Sequence, residues 1–181
     1  MARVRGRAWG KAAVTALACL TLTLTLAACY AELDWREVPS AQGRYSITLP
    51  AKPQEHTRTL NSSAGEISMT MASAQAAGWT FGVGYADYPS GTNTDKHIDE
   101  QRDALLRNIS GRITAEKPLG VGGRPGRMVS AEGRRGDSVM ALQVRFVSDG
   151  RRLYQIAAVG NQGGIAETEL DTFLDSFKLQ N

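Results

Sequence analysis

The chain has 181 residues, with 21 Lys or Arg against 18 Asp or Glu, a net charge of +3 and an isoelectric point near 9.0. The excess does not support nucleic-acid binding: Arg3, Arg5, Arg7 and Lys11 stand together in the first 28 residues, which hold no acid, and the other 153 carry 17 basic and 18 acidic side chains. A nearly neutral body of that length corresponds to one domain, able to bury about two thirds of its unfolded surface, and no internal repeat or low-complexity tract divides it.

Residues 1–28 pass from a basic start through an apolar run, Ala12 to Leu26, to Ala27 and Ala28 before Cys29, the three-part order of a secretory signal. The apolar run is 15 residues long and is interrupted by Thr15, Thr21, Thr23 and Thr25; a bilayer span needs about 20. Leu26-Ala27-Ala28-Cys29 resembles the lipobox of bacterial lipoproteins, in which small residues fit the peptidase cleft and the cysteine thiol accepts a diacylglycerol before cleavage. The resemblance implies a membrane anchor of acyl chains at Cys29. Cys19 fits less well, since Ala16 stands where the motif has Leu. Once Cys19 leaves with the signal, Cys29 is alone and no internal disulfide is expected. Tyr30 replaces the Asp that commonly retains such lipoproteins in an inner membrane. This implies the outer membrane with the domain facing the periplasm or, in a single-membrane cell, the outer face of the plasma membrane. Residues 29–43 read as the lipidated cysteine and a short tether, in which Leu33, Trp35 and Val38 are able to pack on the domain, and 44–181 as one domain.

Beyond the tether, alternation with period two dominates. Tyr45, Ile47 and Leu49 predict a strand closed by Pro50, and Glu55 to Leu60 a second. Glu66 to Met71 and Trp79 to Tyr85 predict two more, each with one buried face. The period changes from Thr94: Ile98, Leu105 and Ile109 share a stripe that predicts a helix over 95–109, with Asp95, Asp99 and Glu100 early, Arg107 late and Gly111 just past the end. Four further strands follow, Arg112 to Leu119, Gly126 to Ala131, Ser138 to Val147 and Arg152 to Val159, the last two joined by a tight turn at Asp149-Gly150. Ile165, Leu170, Phe173, Leu174 and Phe177 mark a closing helix, with Glu167 and Glu169 at its start and Lys178 at its end. Consecutive hairpins with two helices, each covering one face, give an antiparallel sheet in a layered α+β domain.

Tyr45 to Pro50 followed by Pro53, Gly84 to Pro89 before a helix, and the closing Phe173-Leu174-Asp175-Ser176-Phe177 resemble bacterial secreted proteins with a PsbP-like α/β/α sandwich, of which LpqN-type lipoproteins are relatives. These are fold markers. The resemblance implies binding, assembly or unassigned roles and no catalytic residues.

The residues themselves carry no recognisable catalytic motif. His56 and His97 are the only histidines, in different elements and without metal-site spacing, and both read as surface residues. No Gly-x-Ser-x-Gly or Ser-x-x-Lys is present. Gly120 to Gly126 has no Lys-Ser/Thr and opens no helix, so it reads as a loop between strands. Asp95, Asp99, Glu100 and Asp103 read as a solvated helix face, not a metal site. Trp79 and Tyr85 read as core in preference to a groove shared with Trp35 and Tyr88. No cofactor is expected.

Residues 112–152 hold nine Arg or Lys against four acids, while 29–111 and 153–181 are each at −3. Arg134, Arg135, Arg151 and Arg152 at hairpin ends are the candidates for a basic rim meeting anionic head groups, envelope glycans or an acidic protein partner; a rim that only solubilises is the other reading. The sequence thus points to a non-catalytic envelope lipoprotein that binds or scaffolds at a membrane surface. The alternative is an envelope enzyme of hydrolase type whose site is too scattered to recognise.

Overall fold

The computed structural model describes residues 33–180; the signal, Cys29 and Tyr30 lie outside the described residues. The elements are β1 (Arg36–Ser40), β2 (Tyr45–Leu49), β3 (Gln54–Ser62), β4 (Gly65–Ala76), β5 (Trp79–Asp87), α1 (Thr94–Asn108), β6 (Arg112–Val121), β7 (Arg124–Arg135), β8 (Ser138–Ser148), β9 (Arg152–Asn161), α2 (Glu167–Asp175) and β10 (Lys178–Leu179). Seven strands form one sheet in the order β3-β4-β5-β9-β8-β7-β6, and β1-β2-β10 form a small second sheet. All pairings are antiparallel.

Period two sorts the side chains into two cores. Phe81, Val83 and Tyr85 of β5 and Tyr154, Ile156 and Ala158 of β9 face the small sheet and α2, where they meet Tyr45, Ile47, Leu49, Phe173, Leu174 and Phe177. Met140, Leu142, Val144 and Phe146 of β8 and Leu153 of β9 face the other way, onto Ile98 and Ile109 beside α1. The large sheet therefore lies between two layers, which is the α+β sandwich that hairpins with two helices predict. Gly160 serves one of these faces, since a Cβ there would lie 2.3 Å from Trp79 Cγ.

Both helices are closed by specific contacts. Asn93 Oδ1 accepts from Lys96 N at 3.2 Å at the start of α1. At its end Ser110, not Gly111, takes the left-handed conformation, φ +48°, and Gly111 N donates to Leu106 O at 2.8 Å. The predicted acidic face of α1 is not merely solvated. Arg127 of β7 reaches Asp95 (2.9 Å), Asp99 (2.5 Å) and Glu116 (3.1 Å), and Arg102 reaches Asp99 (2.9 Å), so the face is clamped to the sheet.

α2 ends at Asp175, and Lys178 pairs with β2 as a strand residue. The cation at the helix C-terminus comes from β8: Arg145 donates to Leu174 O at 3.0 Å and pairs with Asp175 at 2.6 Å. Part of the stretch read as tether is β1, which pairs residue for residue with β2 from Arg36↔Leu49 to Ser40↔Tyr45. Trp35 and Val38 pack on the core, and Asp34 N donates to Pro50 O at 3.0 Å.

Candidate functional site

Chain direction brings three turns to one end of the sandwich. The β8–β9 turn adjoins the end of β5, because Asp87 pairs with Arg152, and the β6–β7 turn lies beside it, because β7 begins opposite the end of β8. The β1–β2 turn reaches the same end from the small sheet: Tyr45 packs edge-on against Tyr85 and Tyr154 at 6.2 and 6.4 Å between ring centres. Three adjoining cavities of about 410, 490 and 610 Å³ open there, and Arg124 and Asp149 line all of them.

Asp149 builds this end. The loop it opens is one residue longer than the tight Asp-Gly turn expected, and only Gly150 has positive φ, +94°. Asp149 uses its carboxylate instead: Oδ1 accepts from Arg151 N at 3.2 Å and Arg152 N at 2.7 Å, while Oδ2 accepts from the Arg44 guanidinium at 3.0 Å. On the opposite side, β6 and β7 turn tightly through Gly122 and Gly123, both at positive φ (+56° and +74°), so no side chain from the turn tip projects into the groove. The Gly120–Gly126 stretch is thus mostly strand, with only two glycines in the turn.

The arginines at this end are not equivalent. Arg152 is fully engaged: Nε and Nη2 donate to Asp87 at 2.6 Å each and Nη1 to Gln42 O at 2.7 Å, with the guanidinium 4.6 Å from the Tyr85 ring centre. That fork holds the Asp87 carboxyl below its ordinary value, against a smaller opposing effect of burial, and raises the Arg152 guanidinium. Arg124 and Arg151 are exposed and have no carboxylate partner among the described residues. Tyr154 lines the largest of the three cavities, is itself wholly buried and has a hydroxyl without a hydrogen-bond partner. Burial pushes that hydroxyl up, opposed by Arg152, so it stays a protonated donor at neutral pH.

The four arginines picked out by sequence do not form one rim. Arg151 and Arg152 belong to the groove, whereas Arg134 and Arg135 end β7 at the opposite end of the sheet, where Arg135↔Ser138 closes the hairpin and Arg135 borders a cavity of about 450 Å³ beside Trp79. Ion pairing within the fold further dilutes the local excess of positive charge, since Arg112, Arg127, Arg145 and Arg152 all meet carboxylates. Sequence reasoning missed Arg44 and gave Arg124 no role. Arg44 lies 105 residues from Asp149 along the chain, and no local pattern marks it.

His56 is exposed as expected, but His97 is only 3% exposed. It stacks on Tyr88 with 4.0 Å between ring centres, its Nδ1 lies 3.4 Å from Glu100, and its Nε2 has no partner. The signal for this was available: one turn apart on the helix, His97 and Gln101 flank the buried stripe through Ile98. The cavity beside His97 is about 10 Å³, room for about one water and not for a substrate. Trp79, Tyr85 and Tyr88 are buried and Trp35 packs on the core, so these aromatics form no open groove. Among the described residues no group of three or more His, Cys, Asp or Glu is placed to hold a metal, and no helix is long and apolar enough to cross a membrane.

A seven-stranded antiparallel sheet with a helix on either face and a small sheet beside one of them defines a PsbP-like α+β fold. The cyanobacterial PsbP (CyanoP) of Synechocystis sp. PCC 6803 superposes with a TM-score of 0.54 at 9% identity, over 84% of this chain and 95% of that one. A protein of Bacteroides thetaiotaomicron VPI-5482 superposes with a TM-score of 0.50 at 8% identity, over 81% of this chain and 48% of its own length. No family model and no curated protein matches the sequence. At these identities the likeness is one of fold.

Proposed function

We propose that the protein is an LpqN-type envelope lipoprotein, anchored by acyl chains on Cys29, and that it binds an anionic envelope component or an acidic partner without catalysing a reaction on it. The observation that carries the binding role is the groove of Arg44, Arg124, Arg151 and Arg152 around a carboxylate-built turn. The anchor rests on the lipobox, and the outer-membrane, periplasm-facing location on Tyr30.

The path of the chain supports an orientation for the anchored domain. Only four residues lie between Cys29 and Asp34, a reach of at most about 18 Å when extended. Trp35 packs against Phe81 at 6.3 Å between ring centres, whereas Tyr45, after the β1–β2 turn, packs against Tyr85, four residues further along β5, or about 13 Å. The described chain thus begins nearer the end of the sandwich that bears Arg134 and Arg135 than the end that bears the groove. A short tether leading from there favours an orientation with those arginines toward the membrane and the groove away from it.

Two measurements test this reading with the lipoprotein as made in the cell. Mass spectrometry of the mature N-terminus is expected to find acylated Cys29, and the protein stays with membranes in high salt, since two acyl chains suffice for stable anchoring; Cys29→Ser releases it or leaves it uncleaved. An unmodified Cys29, or an N-terminus elsewhere, rules out the anchor. Reconstituted into phosphatidylcholine vesicles, the lipoprotein is expected to cluster added phosphatidylglycerol vesicles but not neutral ones, and less as salt shortens the screening length from about 10 Å at 0.1 M. Equal clustering of both would reject the anionic partner.

A further inference from the structure

Resting on that binding role, the geometry points to a specific ligand chemistry: the groove between the β1–β2, β6–β7 and β8–β9 turns is a site for a phosphomonoester, gripped by Arg124 and Arg151 with Arg44 at its edge. Charge selects the anion. Asp149 and Asp87 line the same cavity, but the first already accepts three hydrogen bonds and the second is bound by both arms of the Arg152 fork, so neither offers a cation a free oxygen. With Arg44 and Arg152 balanced by those two carboxylates, Arg124 and Arg151 leave the cavity at +2. A phosphomonoester carries about 1.5 to 2 negative charges at pH 7, whereas a carboxylate or a phosphodiester carries one.

Shape and donors agree with charge. Guanidinium forks match pairs of phosphate oxygens. The glycine turn at Gly122-Gly123 leaves the wall open, and cavities of about 490 and 610 Å³ admit the group that the phosphate is esterified to as well as the phosphate itself. The Tyr154 hydroxyl, buried under the groove floor beside Arg152, makes no hydrogen bond of ordinary geometry, and a water ordered at that floor would satisfy it.

The ester is either a soluble metabolite or the head group of a lipid in a facing membrane, and one experiment separates them. Acylated protein in neutral detergent is titrated calorimetrically with glycerol 3-phosphate and, separately, with dihexanoyl phosphatidic acid in the same micelles. Saturable 1:1 binding is expected, weakening below about pH 6 as the ester loses its second charge. Comparable affinities identify the phosphate ester alone as the ligand; tenfold tighter binding of the lipid identifies a head group. Arg124→Gln with Arg151→Gln, both exposed, is expected to weaken binding about tenfold or more. Arg134→Gln with Arg135→Gln makes the same change in net charge and is expected to leave binding within about twofold, the usual scale for sites without contact. Equal losses in the two variants, or no saturable binding of either ester, overturn the site. If vesicle clustering persists in that case, the anionic-partner reading survives and only the phosphomonoester is lost; if clustering fails too, both fall.

Discussion

Arg151-Arg152 and Arg134-Arg135 each sit at a hairpin turn of the same sheet, yet their surroundings differ in kind. At the groove end, Arg152 is locked between Asp87 and Gln42, and Asp149 folds the loop that presents Arg151. At the other end, neither arginine has a carboxylate partner among the described residues. The cause is the small sheet: β2 lies on one face of the large sheet and delivers the β1–β2 turn, with Gln42 and Arg44, only to the groove end. A pair of like charges becomes a site where a second layer supplies counter-charges that position one cation and free another. At the other end Arg134 N donates to Ile109 O at 2.7 Å, but no carboxylate is brought to either guanidinium, and both side chains stay exposed.

The contrast depends first on the layer that seats β2. Phe177 is 4% exposed and packs between Tyr45 and Tyr154, with ring centres 5.8 and 5.5 Å away. Phe177→Ala is expected to cost about 3–5 kcal/mol, read from denaturant midpoints, and truncation after Asp171 to unfold the domain. A change below about 0.5 kcal/mol, the size usual at a surface, would contradict the docking.

A smaller effect is expected at the turn itself. Asp149→Ala removes the acceptor of two backbone N–H groups and of Arg44, with an expected cost of about 1–3 kcal/mol. Binding at the groove should fall with it, because Arg151 loses its support. Stability within about 0.5 kcal/mol of wild type would show that the loop holds without it.

Asp87 gives the comparison a pH dependence. Its pairing with Arg152 holds the native carboxyl below the ordinary value of 3.8, so in acid the unfolded chain binds the proton more readily than the native one. The resulting stability is complete above the unfolded value and is lost as pH falls through the lower native value. Unfolding followed from pH 7 to pH 2 is expected to show Asp87→Asn less stable than wild type at neutral pH, with the gap closing below about pH 4. A constant gap would remove Asp87 from the acid response.

The smallest effect is expected at the far end. Arg134→Gln with Arg135→Gln should change stability by less than about 0.5 kcal/mol in thermal or denaturant unfolding, and a larger loss would mean that this turn too is held by contacts.

Period two and the helical stripes were legible in the sequence because each is set by neighbours a few residues apart: Phe81-Val83-Tyr85 and Leu142-Val144-Phe146 each line up on one face, and Ile98 and Phe173 face the sheet. The α+β sandwich follows from those local patterns and from the hairpins that join them. What the sequence did not disclose depended on partners far apart along the chain. Arg44 meets Asp149 across 105 residues, Arg152 meets Asp87 across 65, and Arg145 caps a helix 29 residues on. The acidic face of α1 lies at the surface as read, but its pairing with Arg127 of β7 was not legible for the same reason. Counting charge along residues 112–152 therefore found the right region but joined two opposite ends of a sheet into one rim: sequence proximity assigns a turn its residues, whereas strand direction and register decide which turns meet.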